Sequence, residues 1–505
     1  MPSQAICDHL TSNYMRSIET IFRMYHVPTM ESEIGAFWDE PDIMHNQWIA
    51  QYFIILAVGL KVGEDPLTRD LRRRDPTLQA FLYRSAQWHL FSTDFTDRPT
   101  VEIVRSLCMI VLAKQLEALS FRHSESTVSL VAMIIRSAMT IKLHEQTPGS
   151  AYSSHLDAEI GRRLWATISA LELQQELTTG LPPLIDPGDF NHMAPLNIND
   201  SDLIAFGDPP TSRDERTYTE TTVQRLHSLT SHTAYKVMKA VNSTSRRMTY
   251  DEVLEYDERV RYFFQTARSF YEWFGKEYID TSKIRLPLVA LDVFFRRLLL
   301  ALHSHYAQEP ESCTRYPVSY WTSLECSLAL LVLQRQLCED PDDLRGKLWF
   351  VDLYKPDFVL AAVIVCVQLR RQESFSIDLA SGANGGIGNS NSNSGGGNSN
   401  NSNSNDSGNS GEHASKSNDG GDSGASDERM RLTIPPRATI LQTLVCCVEI
   451  WRRWVDESVC HLHIYTSLAR CVEVLESETA KADPTIMMSN GGNLRIQERQ
   501  EAFSG

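Results

Sequence analysis

The side chains best suited to hold a metal or attack a substrate are spaced for neither task. Ten cysteines stand at positions 7, 108, 313, 326, 338, 366, 446, 447, 460 and 471, and no two are spaced Cys-x2-Cys. A structural zinc site needs close thiolate pairs, so its usual ligand geometry is missing. Cys446 and Cys447 are adjacent, and one helix turns their thiols to different faces. Cys460-His461-Leu462-His463 has metal-binding residue types, but it reads as a helix with small and polar residues on separate faces. There is no Gly-x-Ser-x-Gly elbow, no His-Glu-x-x-His and no Walker-type loop. The remaining chemistry is charge. Arg162 and Arg163 have Asp157 and Glu159 one to two helical turns away. Asp200 and Asp202 follow once the chain has turned at Gly180–Pro183. The sharpest reading is that Arg162 or Arg163, buried, clamps the 195–203 loop. Arg72-Arg73-Arg74 is the densest basic run, and its Asp70 and Asp75 neighbours read as ion-paired partners on a solvated loop.

These charges need a rigid carrier, and the local pattern supplies one. Ser154 can cap a helix with Asp157 three residues on. Ile160, Leu164, Ile168 and Leu171 then recur at helical spacing, with Trp165 beside that stripe. Gly180 and Pro182 end the helix, since glycine takes a left-handed cap and proline cannot continue. His144 falls at the end of the preceding helical pattern, where an imidazole can meet terminal carbonyls. The same period covers most of the chain. A first helix is expected from Ile6 to Tyr25, stopping before Pro28, and others over Trp48–Gly59, Leu78–Leu90, Val101–Gln115 and Val128–Leu143. Further helical patterns run over Asp251–Lys276, Leu286–His303, Tyr320–Leu337, Lys347–Arg371 and Ile440–Val474, with 204–220 a polar loop. The expected fold class is all-α, a multi-helix packed domain with a long disordered insert. Residues 1–380 form its main part. Residues 381–427, dominated by Asn, Ser and Gly, cannot offset the entropy of ordering and form the insert. Residues 428–480 return to the same domain, and 481–505 form a flexible tail.

The ordered motifs resemble the middle homology region of fungal zinc-binuclear-cluster transcription factors. Leu143-His144, Arg162-Arg163-Leu164-Trp165, Gly180-Leu181-Pro182 and Asn197-Ile198-Asn199-Asp200 stand in that family's order. Ile21 to Thr29 and Phe37-Trp38 look like the start of the region, and Tyr250 to Arg261 resembles a later family helix with a Leu-x-x-Asp core. The resemblance covers most of residues 1–370. The residues it singles out are His144, Glu159, Arg162, Arg163, Leu164, Trp165, Gly180, Pro182, Asn197 and Asp200. It implies a transcription regulator of the nucleus, controlling metabolic or secondary-metabolite genes, rather than an enzyme. The family reads DNA through an N-terminal six-cysteine zinc cluster, which the cysteine spacing here does not match. Zinc is therefore expected only if an upstream cluster is missing from this chain, and DNA only through that module or a partner. The implied partners are the transcription machinery or another transcription factor, a small-molecule effector, and a second copy of the chain in a homodimer. The alternative is a partner-dependent co-regulator or helical scaffold without DNA-binding activity.

Composition narrows the classes. The chain has 505 residues, 42% of them hydrophobic, enough for a large core. A net charge of −16 opposes broad attraction to nucleic acid, which needs basic surface. Met1 to Arg16 lacks a signal-peptide core, and the longest apolar run, Phe358 to Val367, is too short for a bilayer. No membrane partner is expected.

Overall fold

Helical periodicity becomes helices throughout the described residues, and no strand occurs among them. The computed structural model describes residues 1–117, 122–145, 154–186, 188, 193–204, 207–274, 281–339, 348–371, 436–456 and 459–482. The Asn/Ser/Gly-rich insert at 381–427 and residues 483–505 lie outside them. No described helix is long and apolar enough to cross a membrane.

The first part of the chain gives α1 (Gln4–Met15), α2 (Ile18–Phe22), α3 (Val27–Asp39), α4 (Asn46–Val62), α5 (Pro66–Arg74), α6 (Leu78–Phe91), α7 (Val101–Glu117), α8 (Arg122–Thr140) and α9 (His155–Thr179). After a long loop come α10 (Thr222–Val241), α11 (Tyr250–Phe274), α12 (Thr281–Ala307), α13 (Ser312–Arg315), α14 (Pro317–Glu339), α15 (Leu348–Leu353) and α16 (Lys355–Arg371). Two helices return after the insert, α17 (Arg437–Arg452) and α18 (Val459–Ala482). Helix α4 is buried on nearly every side because Ile54 to Leu60 is apolar all round, and it packs on α1, α6 and α7. Packing then passes from α7 to α8 to α9 to α10, and through α12, α14 and α16 to the returning pair. One apolar core runs from Cys7 to Leu475.

Three long patterns break where the sequence suggests continuity. The expected Ile6–Tyr25 helix is interrupted at Ser17, whose φ of −117° and ψ of −89° leave the helical region. Its hydroxyl donates to Asn13 O at 2.6 Å, competing with the backbone ladder. Arg23 then adopts φ 30°, and the Tyr25 N–H turns to the Glu19 carboxylate at 2.6 Å. The Lys347–Arg371 pattern divides at Tyr354, because Pro356 has no N–H to give and is accommodated in the first turn of α16. The Ile440–Val474 pattern reverses after Arg452, so that α18 packs on α17 with Trp451 and Trp454 against His461, at ring separations of 5.6 and 6.0 Å.

Where α1 crosses α4, backbone meets backbone. A Cβ on Gly59 would lie 2.0 Å from Leu10 O and 2.7 Å from Leu10 C. Alanine is the better helix former, but the gain, at most about 1 kcal/mol, is smaller than the cost of moving a buried helix. Gly59→Ala should lower the unfolding free energy by about 2 kcal/mol or more, read from denaturant melts.

Candidate functional site

Helix α9 is built as a carrier. Ser154 Oγ accepts the Asp157 N–H at 3.1 Å, and its hydroxyl donates to Asp157 Oδ2 at 2.8 Å. At the other end Gly180 has φ 70° and gives its N–H to Glu176 O at 2.8 Å. Its missing Cβ would meet nothing, so the backbone angle alone selects glycine there. Pro182 follows in the exposed turn. Leu164 and Trp165 are buried in the core. Trp165 lies 5.9 Å from the His144 ring, centroid to centroid. His144 is held there because α8 closes with Lys142 at φ 60°, Lys142 N–H on Met139 O and Leu143 N–H on Ala138 O.

The polar face of α9 meets the 196–203 loop in a buried clasp. Arg163, wholly buried, donates from Nη1 to Asp200 Oδ1 at 2.6 Å and from Nε to Glu159 Oε1 at 3.3 Å. A second arginine, Arg23, brings Nη2 to within 2.9 Å of the same Asp200 oxygen and 3.0 Å of Glu220 Oε2. The other Asp200 oxygen accepts the Val27 N–H at 3.0 Å. The Asp200 backbone is held as well: its N–H donates to Glu220 Oε2 at 2.8 Å, and His26 Nε2 donates to its carbonyl at 3.0 Å. Glu159 accepts the Leu196 N–H at 3.1 Å and Arg162 Nε at 2.8 Å. Arg163 thus holds the loop, while Arg162 pairs one turn back on its own helix.

Asn197 fastens the loop to the strand of chain leading into α10. Its Nδ2 donates to Asp214 O and Thr217 O, both at 2.9 Å, and its Oδ1 accepts the Thr219 and Thr222 hydroxyls at 2.7 and 3.0 Å. Asp202 faces outward to Arg213 at 2.7 Å and does not reach the clasp. Arg23, His26, Glu220 and Gln224 complete the site without having been singled out from sequence. Gln224 Nε2 lies 2.9 Å from Arg163 O and 2.8 Å from Phe22 O, beneath the clasp.

Burial alone would raise the Asp200 carboxyl, but Arg23 and Arg163 outweigh it and hold it below the usual range. Glu19, more deeply buried than Asp200, is pushed up to about 7 by desolvation, with Arg23 and the Tyr25 N–H opposing. A second acidic unit lies two to three turns further along α9. Glu172 accepts the Leu184 and Ile185 N–H groups at 2.6 and 3.0 Å and the Tyr235 hydroxyl at 2.9 Å. Burial, then the Glu172 charge, pushes the Glu176 carboxyl up to about 10, so it stays protonated beside Glu172.

The metal-like run does not converge. Cys460 and His461 are buried, His463 is exposed, and His461 sits 3.3 Å from Asp352. Among the described residues no three His, Cys, Asp or Glu side chains are grouped to hold a metal. Arg72 caps α4, donating to Lys61 O and Gly63 O at 2.9 Å each, and Arg74 pairs with Asp70 at 2.8 Å.

The family profile described as the fungal specific transcription factor domain matches residues 11–291, which include both arginines of the clasp, Asp200 and Gln224. The chain belongs to this family. It is 27% identical to the transcription factor opdR of Penicillium oxalicum over 65% of this chain and 42% of that protein. It is 26% identical to the transcription factor lepE of Aspergillus flavus over 72% of this chain and 43% of that protein. With the Fusarisetin A cluster transcription factor fsa6 of a Fusarium species it shares 25% identity, over 73% of this chain and 50% of that protein. The chain thus spans half or less of the length of these three relatives. No solved structure matches it. The family match ends inside α12, and the packing continues beyond it through α14 and α16.

Two measurements probe this site. Asp200→Ala takes the shared carboxylate from two buried arginines, leaving Arg163 to Glu159 and Arg23 to Glu220, and should cost about 3 kcal/mol, whereas Arg213→Ala breaks an exposed pair and should cost no more than about 1 kcal/mol. Urea unfolding of both variants gives the comparison. Glu176 binds its proton more tightly folded than unfolded, so its stabilising contribution is complete below the ordinary value of 4.5 and is lost as pH rises toward about 10. Glu176→Gln should match the parent near pH 5 and melt higher at pH 8.5, with a flatter dependence of melting temperature on pH.

Proposed function

We propose that this chain is the regulatory body of a fungal transcription factor that governs a set of biosynthetic genes. The observation that carries the reading is the family match over residues 11–291. It is supported by relatives named for the Fusarisetin A and Equisetin clusters, the latter a factor of Fusarium heterosporum that is 24% identical over 76% of this chain. The protein acts by binding and relay, not by catalysis. Its place of work is the nucleus, and its partners are the transcription machinery or another transcription factor. DNA contact, and the zinc that goes with it, belongs to a cysteine module beyond this chain or to a partner. The acidic balance of −16 fits that division, because phosphate attraction requires basic surface. Within the chain, the clasp gives the relay a defined geometry. It joins α9 and the 23–27 corner through the Asp200 carboxylate, and the approach to α10 through the Asp200 N–H on Glu220, so a change at any of the three is felt by the others.

The full chain fused to a heterologous DNA-binding domain should change a reporter of intermediate basal output at least fivefold, in either direction, relative to that domain alone. Asp200→Ala should erase most of the change at equal protein level. A reporter unmoved by the folded fusion would overturn the reading.

A further inference from the structure

Directly behind the clasp lies a cavity between α2, α9, α10, α12 and α16, with about 60 Å³ of space open to water. Its floor is apolar, formed by Phe22, Leu291 and Phe294. Its mouth is rimmed by half-buried side chains, among them Ala170 and His227. Two polar atoms in this wall are buried and have no hydrogen-bond partner, Gln224 Oε1 and His227 Nδ1. An unpaired buried acceptor is costly, and native structures keep few of them. The Gln224 amide cannot rotate away, because its nitrogen is committed to Phe22 O, Arg163 O and Thr167 Oγ1 at 2.8, 2.9 and 3.0 Å.

The wall carries no free charge. Arg297 is paired with Asp357 and also donates to Leu177 O at 2.7 Å. His227 packs on Phe294 at 4.3 Å between centroids, and burial lowers its titration to about 4, so the imidazole is neutral. A carboxylate or an ammonium entering here would lose its hydration without finding an opposite charge.

We propose that this cavity binds a small uncharged molecule, apolar along its length, that donates one O–H or N–H to Gln224 Oε1. The enclosed volume admits only one end of such a ligand, since an apolar cavity of about 150 Å³ is needed to enclose a benzene. The rest lies across Ala170 and His227 in the mouth. This deepens the regulatory reading and rests on it for its biological purpose, though its chemistry stands on the cavity alone. The occupant also has a mechanical route. Gln224 joins the ligand to Phe22 O and Arg163 O, so gripping Oε1 braces the amide that supports both arms of the clasp. The Tyr25 and Val27 amides, held by Glu19 and Asp200, are the backbone groups of the 23–27 corner that register it.

The test uses the full chain with three probes of matched length: 1-hexanol, pentyl methyl ether, which has no donor, and hexanoate, which is charged. Saturation-transfer NMR should show saturable binding of 1-hexanol, at least tenfold weaker binding of the ether, and none of hexanoate. Hydrogen exchange at Tyr25 and Val27 should slow when 1-hexanol is present. Gln224→Leu is the direct variant, but it also removes a clasp support, so the mouth-filling Ala170→Leu is the deciding one. It should melt like the parent and lose 1-hexanol binding; if it does not melt like the parent, Leu177→Phe serves instead. Undiminished binding by the mouth-filled variant, binding of hexanoate as tight as the alcohol, or no saturable binding of any probe overturns the proposal. The reporter separates the two readings. A silent reporter with intact 1-hexanol binding defeats the transcriptional reading and leaves the cavity site standing. An active reporter with no probe bound does the reverse.

Discussion

One carboxylate oxygen, Oδ1 of Asp200, sits between two buried arginines that arrive from distant parts of the chain. Moving three such charges out of water is expensive, and the attraction among them repays it only when every group finds a partner in the right place. Here Asp200 is met on both oxygens, on its N–H and on its carbonyl. The consequence is selectivity more than strength. A shifted register of the 196–203 loop would still bury apolar surface, but it would pull Asp200 from both arginines and leave Arg163 with Glu159 alone and Arg23 with Glu220 alone. Arg23 pays a backbone penalty for its position, since φ 30° is unfavourable for a side chain with a Cβ. The two ion pairs it makes offset that penalty, and they fix the corner from which α3 departs.

Helix α9 unites the two kinds of force. Leu164, Trp165, Ile168 and Leu171 sink one set of positions into the core, which fixes the rotation of the helix. That rotation places Glu159, Glu172 and Glu176 where loops cross, and each of the first two becomes an acceptor for loop N–H groups. The acidic residues act as receptors for backbone that has left regular structure, and so satisfy donors that would otherwise be buried alone. Glu176 plays a different part. It keeps its proton, and a neutral carboxyl can lie one turn from Glu172 without full repulsion.

Much of this was readable from residue types, and the limit of reading is physical. Ser154, Gly180 and the Ile160–Leu171 stripe are local signals, where cap, stop and face are set within a few residues. The meeting of an α9 arginine with the Asn197–Asp202 loop also followed from the order of charge, turn and counter-charge. Two things did not follow. The choice of Arg163 over Arg162, and of Asp200 over Asp202, depends on helix rotation to within a fraction of a turn. The second arginine lay outside any local window: Arg23 reaches Glu220, 197 positions away. Ser17 was invisible for the opposite reason, since serine is tolerated in a helix and only its competing hydroxyl bond marks the break. The buried amide of Gln224 gave no periodic signal at all.

The arrangement bears on how such a body can respond to a ligand. A ligand shifts an equilibrium only by the difference in its affinity for two states. An apolar patch alone makes that difference small, because grease packs nearly as well in many geometries. A directional bond to Gln224 Oε1 changes this, for the amide has one orientation when its nitrogen is held by Phe22 O and Arg163 O and another when it is not. The same bond is worth about 1 kcal/mol in the clasped state and close to nothing in one where the amide has turned. Arg163 O and Phe22 O lie immediately next to the two arginine arms, or belong to them. The coupling path is therefore one side chain long, from the cavity floor to the backbone of the clasp. A path that short needs no chain of displaced helices to carry it; it needs only that the clasp have a closed state, and Asp200, met on every polar atom, defines that state.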